Sequence, residues 1–264
     1  MMARSLSVAV LVTPLADPRA AMLRIEARGD ALPALGNVRR VLGPFAESAL
    51  EVALKIRDAL PDTTIQVVAL GEGVDLQLLR SITALRIDTV LRCDLALRPW
   101  DAAYVAQQLS ATVACLQSGP DLLLIGREFG DWDEGSIPAC LAERLAWPYR
   151  SLVQDARVVN DHVELLVEHD GIEDWAPLGG PMVASVTNDR RNRLRHPLMK
   201  NVAAARNATF ATLMPEAMNL QPAIRLVDAV NYQRRSQRTE SIVLVDSGSS
   251  SINTLAEFLR SWVV

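Results

Sequence analysis

The chain has 264 residues, 50% of them hydrophobic and only 5% aromatic, with a formal net charge of −4. That is enough apolar material for one large domain, or one domain with an appendage, around an aliphatic core of Ala, Val, Leu and Ile. The acidic balance excludes a nucleic-acid binder driven by bulk charge.

Residues 8–12 (VAVLV) predict a strand. The run is too short for a signal-peptide core or a membrane span, and the odd, widely spaced Cys93, Cys115 and Cys140 read as reduced residues of a cytoplasmic protein. Residues 22–27 predict a second, exposed strand. A helix opens at Pro44, with Pro near the first position and Glu47 in the first turn, where an anion suits the helix dipole. A strand at 65–70, a helix over 75–85, a strand at 89–92, a helix over 99–117 and a strand at 122–125 follow. This alternation predicts an α/β fold with a mainly parallel sheet and helices on both faces.

The stretch from Asp121 to Pro148, DLLLIGREFGDWDEGSIPACLAERLAWP, is the most informative. An apolar strand ends in Gly126, passes through a polar loop and resumes as an amphipathic helix. The loop therefore falls at the carboxyl edge of the sheet, where open α/β sheets bind ligands. Beyond Pro148 the texture changes. Residues 162–169 and 181–187 predict strands, with turn signals at Asn160-Asp161 and Asp170-Gly171, and read as antiparallel additions. From residue 206 the pattern thins to short apolar segments, a polar stretch NYQRRSQRTE and a final strand, turn and helix. The expected organisation is an α/β domain over 1–205 and an extended C-terminal arm over 206–264 that packs on a partner chain.

Five blocks in order carry a family resemblance. Val12-Thr13-Pro14-Leu15-Ala16-Asp17 stands where the family has V-K-x-V-P-D, and residues 43–51 (GPFAESALE) resemble N-P-F-D-E-x-A-L-E. Residues 84–88 (ALRID) fall on A-M-G-A-D. Gly126-Arg127-Glu128 through Trp147-Pro148 follows the G-R-Q-A-I-D-G-D-T-G-Q loop and helix without a gap. Residues 187–199 (TNDRRNRLRHPLM) fall on L-N-E-P-R-Y-x-x-L. On these motifs the chain resembles the small (beta) subunits of electron-transfer flavoproteins. The resemblance implies a Rossmann-like sheet of the adenine-nucleotide-binding type and a heterodimer with a large (alpha) subunit that carries most of an FAD. It implies an electron carrier, not a catalyst in its own right, working from flavin dehydrogenases toward a membrane quinone oxidoreductase. Small subunits of this kind usually hold AMP at their strand ends, or a second FAD in electron-bifurcating members.

The implied cleft comprises Leu11, Thr13, Gly43, Leu70, Gly126, Phe129, Asp131, Trp132, Glu134, Gly135, Ser136 and Ile137. Its departures from the family pattern cluster here. Thr13 replaces Lys, Gly43 replaces Asn, Glu128 replaces Gln, and Phe129 replaces a small residue. Trp132 replaces a small or acidic residue, and Glu134-Gly135-Ser136 replaces T-G-Q. Only Gly126, Asp131, Asp133 and Gly135 keep the pattern. Glu134 reads as a carboxylate taking the place of the bound anion, with Phe129 and Trp132 filling the space of an adenosine. The cleft is then expected to bind AMP weakly or not at all; AMP held through backbone N–H groups, or FAD, are the alternatives.

Arg190, Arg191, Arg193, Arg195 and His196 form the strongest local charge cluster. The resemblance makes this segment a docking loop for an acidic redox partner, with Leu198 as the apolar anchor; no aromatic platform supports nucleic acid. The run 247–251 (SGSSS) lacks the G-K-[ST] end of a phosphate loop and reads as a turn with Ser251 or Asn253 near a helix N-cap. His162 and His169 have no metal-ligand spacing, no G-x-S-x-G occurs, and Cys93, Cys115 and Cys140 read as reduced thiols. Two other functions stay open: a non-redox structural homologue, and a stand-alone adenine-nucleotide enzyme such as an ATP-pyrophosphatase-like ligase. The second needs a Gly/Ser-rich loop where Thr13-Pro14-Leu15-Ala16 stands.

Overall fold

The computed structural model describes residues 5–19, 38–72, 74–98, 100–117, 119–130, 133–215, 222–224 and 248–260. The strand expected at 22–27 lies outside them, as do Asp131 and Trp132. The chain divides into two compact units, Met1–Ala229 and Val230–Val264.

The first unit runs β1 (Ser7–Val12), β2 (Pro14–Ala16), β3 (Arg40–Leu42), α1 (Pro44–Ala59), β4 (Thr64–Leu70), α2 (Leu76–Thr83), β5 (Thr89–Cys93), α3 (Ala102–Ala114) and β6 (Leu122–Gly126). It continues with α4 (Ile137–Leu145), β7 (Tyr149–Val153), β8 (Asp155–Val159), β9 (His162–His169), β10 (Ile172–Pro177), β11 (Met182–Val186), a 3-10 turn (Arg190–Asn192), α5 (Met199–Ala205) and β12 (Ala211–Thr212). Seven strands form one parallel sheet in the order β12-β5-β4-β1-β6-β11-β7. Its central strands are covered on both faces, which is why they read as unbroken apolar runs. Val8 to Val12 and Leu122 to Ile125 have no solvent exposure. The core splits along the sheet. One apolar cluster holds α1 and α2 residues such as Leu50, Leu54 and Leu79, and the other holds α3 and α4 residues such as Leu109 and Leu141.

The excursion after α4 differs from the sequence expectation. The strand expected at 181–187 is not an antiparallel addition: β11 lies parallel between β6 and β7. The antiparallel structure is a separate sheet, β10-β9-β8. Its two tight turns use the residues the sequence flagged, with Asn160, Asp161, Asp170 and Gly171 all at positive φ, as hairpin turns require. Residues just past 206 stay with the sheet, because β12 pairs with β5. Residues 223 and 224 are held too: one oxygen of the buried Asp101 caps α3 through the Tyr104 N–H, and the other accepts from Ala223 N (2.7 Å) and Ile224 N (3.0 Å).

The second unit contains α6 (Ser249–Arg260), which starts two residues before the expected Ser251 cap. Ile252, Leu255 and Leu259 recur at spacings of three and four, on one helix face, and all are exposed.

The ion pair that ties the end of the sheet to α1 gives a stability test. Glu51 is buried on α1, and Arg195 grips it with Nη2 (2.7 Å), Nε (3.0 Å) and its backbone N–H (3.1 Å), while Nη1 donates to Asp58. Hydrogen bonding to Glu51 raises the Arg195 pKa further above its ordinary range. Arg195→Ala leaves a buried carboxylate without its partner. It should cost about 1–3 kcal/mol in urea unfolding, below the full buried-pair penalty because Arg195 is partly exposed. The double change Glu51→Leu with Arg195→Met should cost less than Arg195→Ala alone, since both polar partners then leave together. Likewise, Asp101→Ala should lower stability by about 1–2 kcal/mol through the lost cap and the lost hold on residues 223 and 224.

Candidate functional site

Strand order reverses between β1 and β6. The crossover through α1 carries the chain from β1 to β4 on one side, and the one through α3 returns it to β6 on the other. A crevice must open where the connections diverge, at the carboxyl ends of these two strands. A cleft of about 250 Å³ lies there, walled by the ends of β1 (Leu11, Val12, Thr13), the first turn of α1 (Pro44, Phe45, Ala46) and the loop after β6 (Glu128, Phe129, Gly130). Leu15, Gly43 and Gly126 complete it.

Its tightness comes from particular residues. A Cβ on Gly126 would lie 2.8 Å from the Phe45 Cβ and 3.0 Å from the Phe45 carbonyl carbon, so only glycine lets α1 start this close to β6. The Thr13 methyl would be 3.4 Å from a Cβ on Gly130, and its hydroxyl 3.3 Å from one on Gly71. Thr13 is thus packed between two positive-φ glycines at the cleft wall. Phe129 is 3% exposed and joins the α3–α4 core cluster.

The loop from Phe129 to Ile137 is organised by one buried carboxylate. Asp133 Oδ2 accepts from the Phe129 N–H (2.9 Å), and Oδ1 accepts from the N–H groups of Gly135 (3.0 Å), Ser136 (2.9 Å) and Ile137 (3.2 Å). Pro138, in the first turn, has no N–H to offer. The head of α4, which in such loops attracts an external anion, already has an internal one. The anion role expected of Glu134 therefore falls to Asp133; Glu134 itself is exposed.

Of the expected cleft residues, Leu11, Thr13, Gly43, Gly126 and Phe129 come together. Leu70 and Ile137 lie in the core cluster, and Gly135 and Ser136 surround Asp133 away from the cleft wall. Phe45, Ala46 and Glu128 line the cleft without having been singled out for it. The Gly43-Pro44 helix start and the Gln-to-Glu departure at 128 were the signals that pointed to them.

Near the cleft, α1 meets the arginine-rich segment. The Glu47 carboxyl is raised by partial burial, an effect that the charges of Arg19, Arg193 and His196 oppose. The base of that segment is fixed. Asn192 is fully buried, donates to the Gln154 carbonyl (2.6 Å) and accepts from Lys55 (2.9 Å), which also bonds Asp155. Arg191 pairs with Glu173, and Arg195 with Glu51 and Asp58. Arg190 and Arg193 are exposed and make no ion pair among the described residues. Leu198 is 60% exposed, beside Met199 at 79%.

Residues 36–217 match the family model of the electron transfer flavoprotein domain. The chain belongs to the electron transfer flavoprotein family. A probable electron transfer flavoprotein subunit beta of Schizosaccharomyces pombe is 27% identical over 89% of this chain and 91% of its own length. The mitochondrial subunit beta of Oryza sativa subsp. indica is 26% identical over 85% and 87%. The CarD subunit of the caffeyl-CoA reductase-Etf complex of Acetobacterium woodii is 30% identical over 46% and 47%. These likenesses place the chain among the beta subunits, and the family implies an alpha partner, with FAD and AMP within the assembled complex. The described cleft fits a bound phosphate poorly. No Lys or Arg lines it, Glu128 does, and the N–H groups at the head of α4 are taken. Among the described residues no His, Cys, Asp and Glu cluster could hold a metal ion, and no helix is long and apolar enough to cross a membrane.

Removing the loop's organiser should be costly. Asp133→Ala orphans up to four N–H groups and should destabilise the protein by about 2–4 kcal/mol, with hydrogen exchange at 129–137 speeding up more than at the β1 and β4 amides. Gly126→Ala should cost about 1–3 kcal/mol by overpacking.

Proposed function

We propose that this chain is the small subunit of a heterodimeric electron-transfer flavoprotein. In this reading it carries no catalysis of its own: it accompanies a large subunit that holds most of the FAD. The pair takes electrons from flavin dehydrogenases and delivers them toward a membrane quinone oxidoreductase from the cytoplasm. The observation that carries the reading is the family match across 36–217, together with beta-subunit relatives aligned over most of both chains. When bound, the flavin supplies the redox chemistry, while the protein sets its surroundings and the approach of partners.

The docking role rests on the division of labour among the arginines. Arg195 spends its charge on the buried Glu51 and fixes the segment to α1, while Arg191 pairs with Glu173 at the surface. Arg190 and Arg193 present theirs outward, with the exposed His196, beside the apolar Leu198 and Met199. A positive rim around an apolar anchor, on a base pinned by Asn192, suits an acidic partner surface. The second unit is assigned to the large subunit, which would cover the apolar face of α6.

Co-expression with a flavin-binding large subunit should yield a one-to-one complex that shows flavin absorbance. A chain that purifies alone beside an expressed large subunit would refute the assignment. Within the complex, Arg190→Glu with Arg193→Glu should slow reduction by an acidic dehydrogenase partner about tenfold at low ionic strength. The deficit should shrink as salt screens the charges; a deficit independent of salt counts against docking.

A further inference from the structure

The cleft contains a charge arrangement that neither the fold nor the docking role requires. Glu128 lines the cleft, whereas its neighbour Arg127 does not. Arg127 instead runs beside Gly135, where a Cβ would make ordinary contact, 3.7 Å from the Arg127 Cγ and Nε. From that position the Arg127 Nη1 donates to Glu128 Oε1 at 2.8 Å. The pair thus sits at the edge of the cleft, with Glu128 on its wall and Arg127 off it.

The remaining anion-attracting features are few. The Asp133 carboxylate occupies the N–H groups at the head of α4. At the head of α1, Pro44 lacks an N–H, and those of Phe45 and Ala46 fall in the turn that has no intrahelical acceptors. Glu128 lines the same cleft as that turn. An anionic ligand drawn to α1 thus meets a carboxylate.

We infer that Glu128 is the specificity-determining residue of this cleft, discriminating against phosphate-bearing nucleotides by charge. It acts in two ways: it holds Arg127 away from the ligand, and it repels the ligand's phosphate. Two like charges about 4 Å apart lose roughly fivefold in affinity in water and roughly a thousandfold at an effective dielectric of about 20. Glu128 is half-exposed and paired with Arg127, so the penalty lies near the lower of these limits. An uncharged ligand of the same shape escapes the penalty. This inference rests on the nucleotide-binding ancestry implied by the family, but not on the presence of a large subunit.

The test is calorimetric titration of the full-length chain and its Glu128→Gln variant with AMP and with adenosine. The variant is isosteric, so it keeps the volume of the cleft, and matching melting curves verify its folding. Wild type should bind adenosine more tightly than AMP. Glu128→Gln should tighten AMP at least fivefold while leaving adenosine within twofold. A parallel gain for both ligands would make the effect one of packing and overturn the inference. So would wild type binding AMP as tightly as the variant, or neither protein binding AMP, which would place the barrier in the bulk of Phe129. Co-purification of both proteins with the large subunit is scored separately, and its loss would count against the subunit assignment alone.

Discussion

The N–H groups at the head of a helix need an acceptor, and in this chain a single buried side chain supplies it. Asp133 gathers four backbone N–H groups from a nine-residue span, closing the loop after β6 onto the start of α4. Once that carboxylate is in place, Phe129 is drawn into the core and Gly130 comes up against Thr13. The wall of the switch-point cleft follows from these two placements. A loop that satisfies itself has no thermodynamic need of a ligand, and this separates holding the fold from holding a nucleotide.

A similar economy of charge shapes the opposite end of the site. The arginine-rich segment looks uniform as sequence, yet its members have different jobs. Arg195 neutralises the buried Glu51 of α1, and Arg191 bridges to Glu173 of the antiparallel sheet. Ion pairs that reach a buried carboxylate are costly to break, whereas exposed charges contribute little to stability and are available for long-range attraction. In the proposed docking role the segment would offer a partner a surface fixed to α1 at little entropic cost.

Much of the fold was legible because buried parallel strands leave a simple trace. The runs at 8–12 and 122–125 are apolar without alternation, 65–70 is broken only by Gln66, and Asp75 marks a helix start that its side chain does cap. Tyr149–Val153 escaped notice because its residues alternate in exposure, as suits a strand at the sheet's edge. Leu152 there adopts a positive φ, beside a bulge that Ser185 bridges through its hydroxyl. The strand at 181–187 was visible, but its parallel pairing was not, because β11 reaches its place only after the three-strand excursion. In the loop after β6, the carboxylate at the head of α4 is Asp133 and not the Glu134 that the family comparison singled out. Glu134 was the conspicuous departure from the family, while Asp133 matched its pattern. Which of two adjacent acids turns inward depends on the φ of Gly135 and the packing of Phe129, neither of which a motif records.

The central claim is that this is an electron-transfer flavoprotein small subunit whose own cleft does not retain a nucleotide. The most direct measurement is to purify the chain with its native large partner and identify every nucleotide released on denaturation. One FAD and no AMP per heterodimer is the predicted result. Stoichiometric AMP beside the FAD would contradict it.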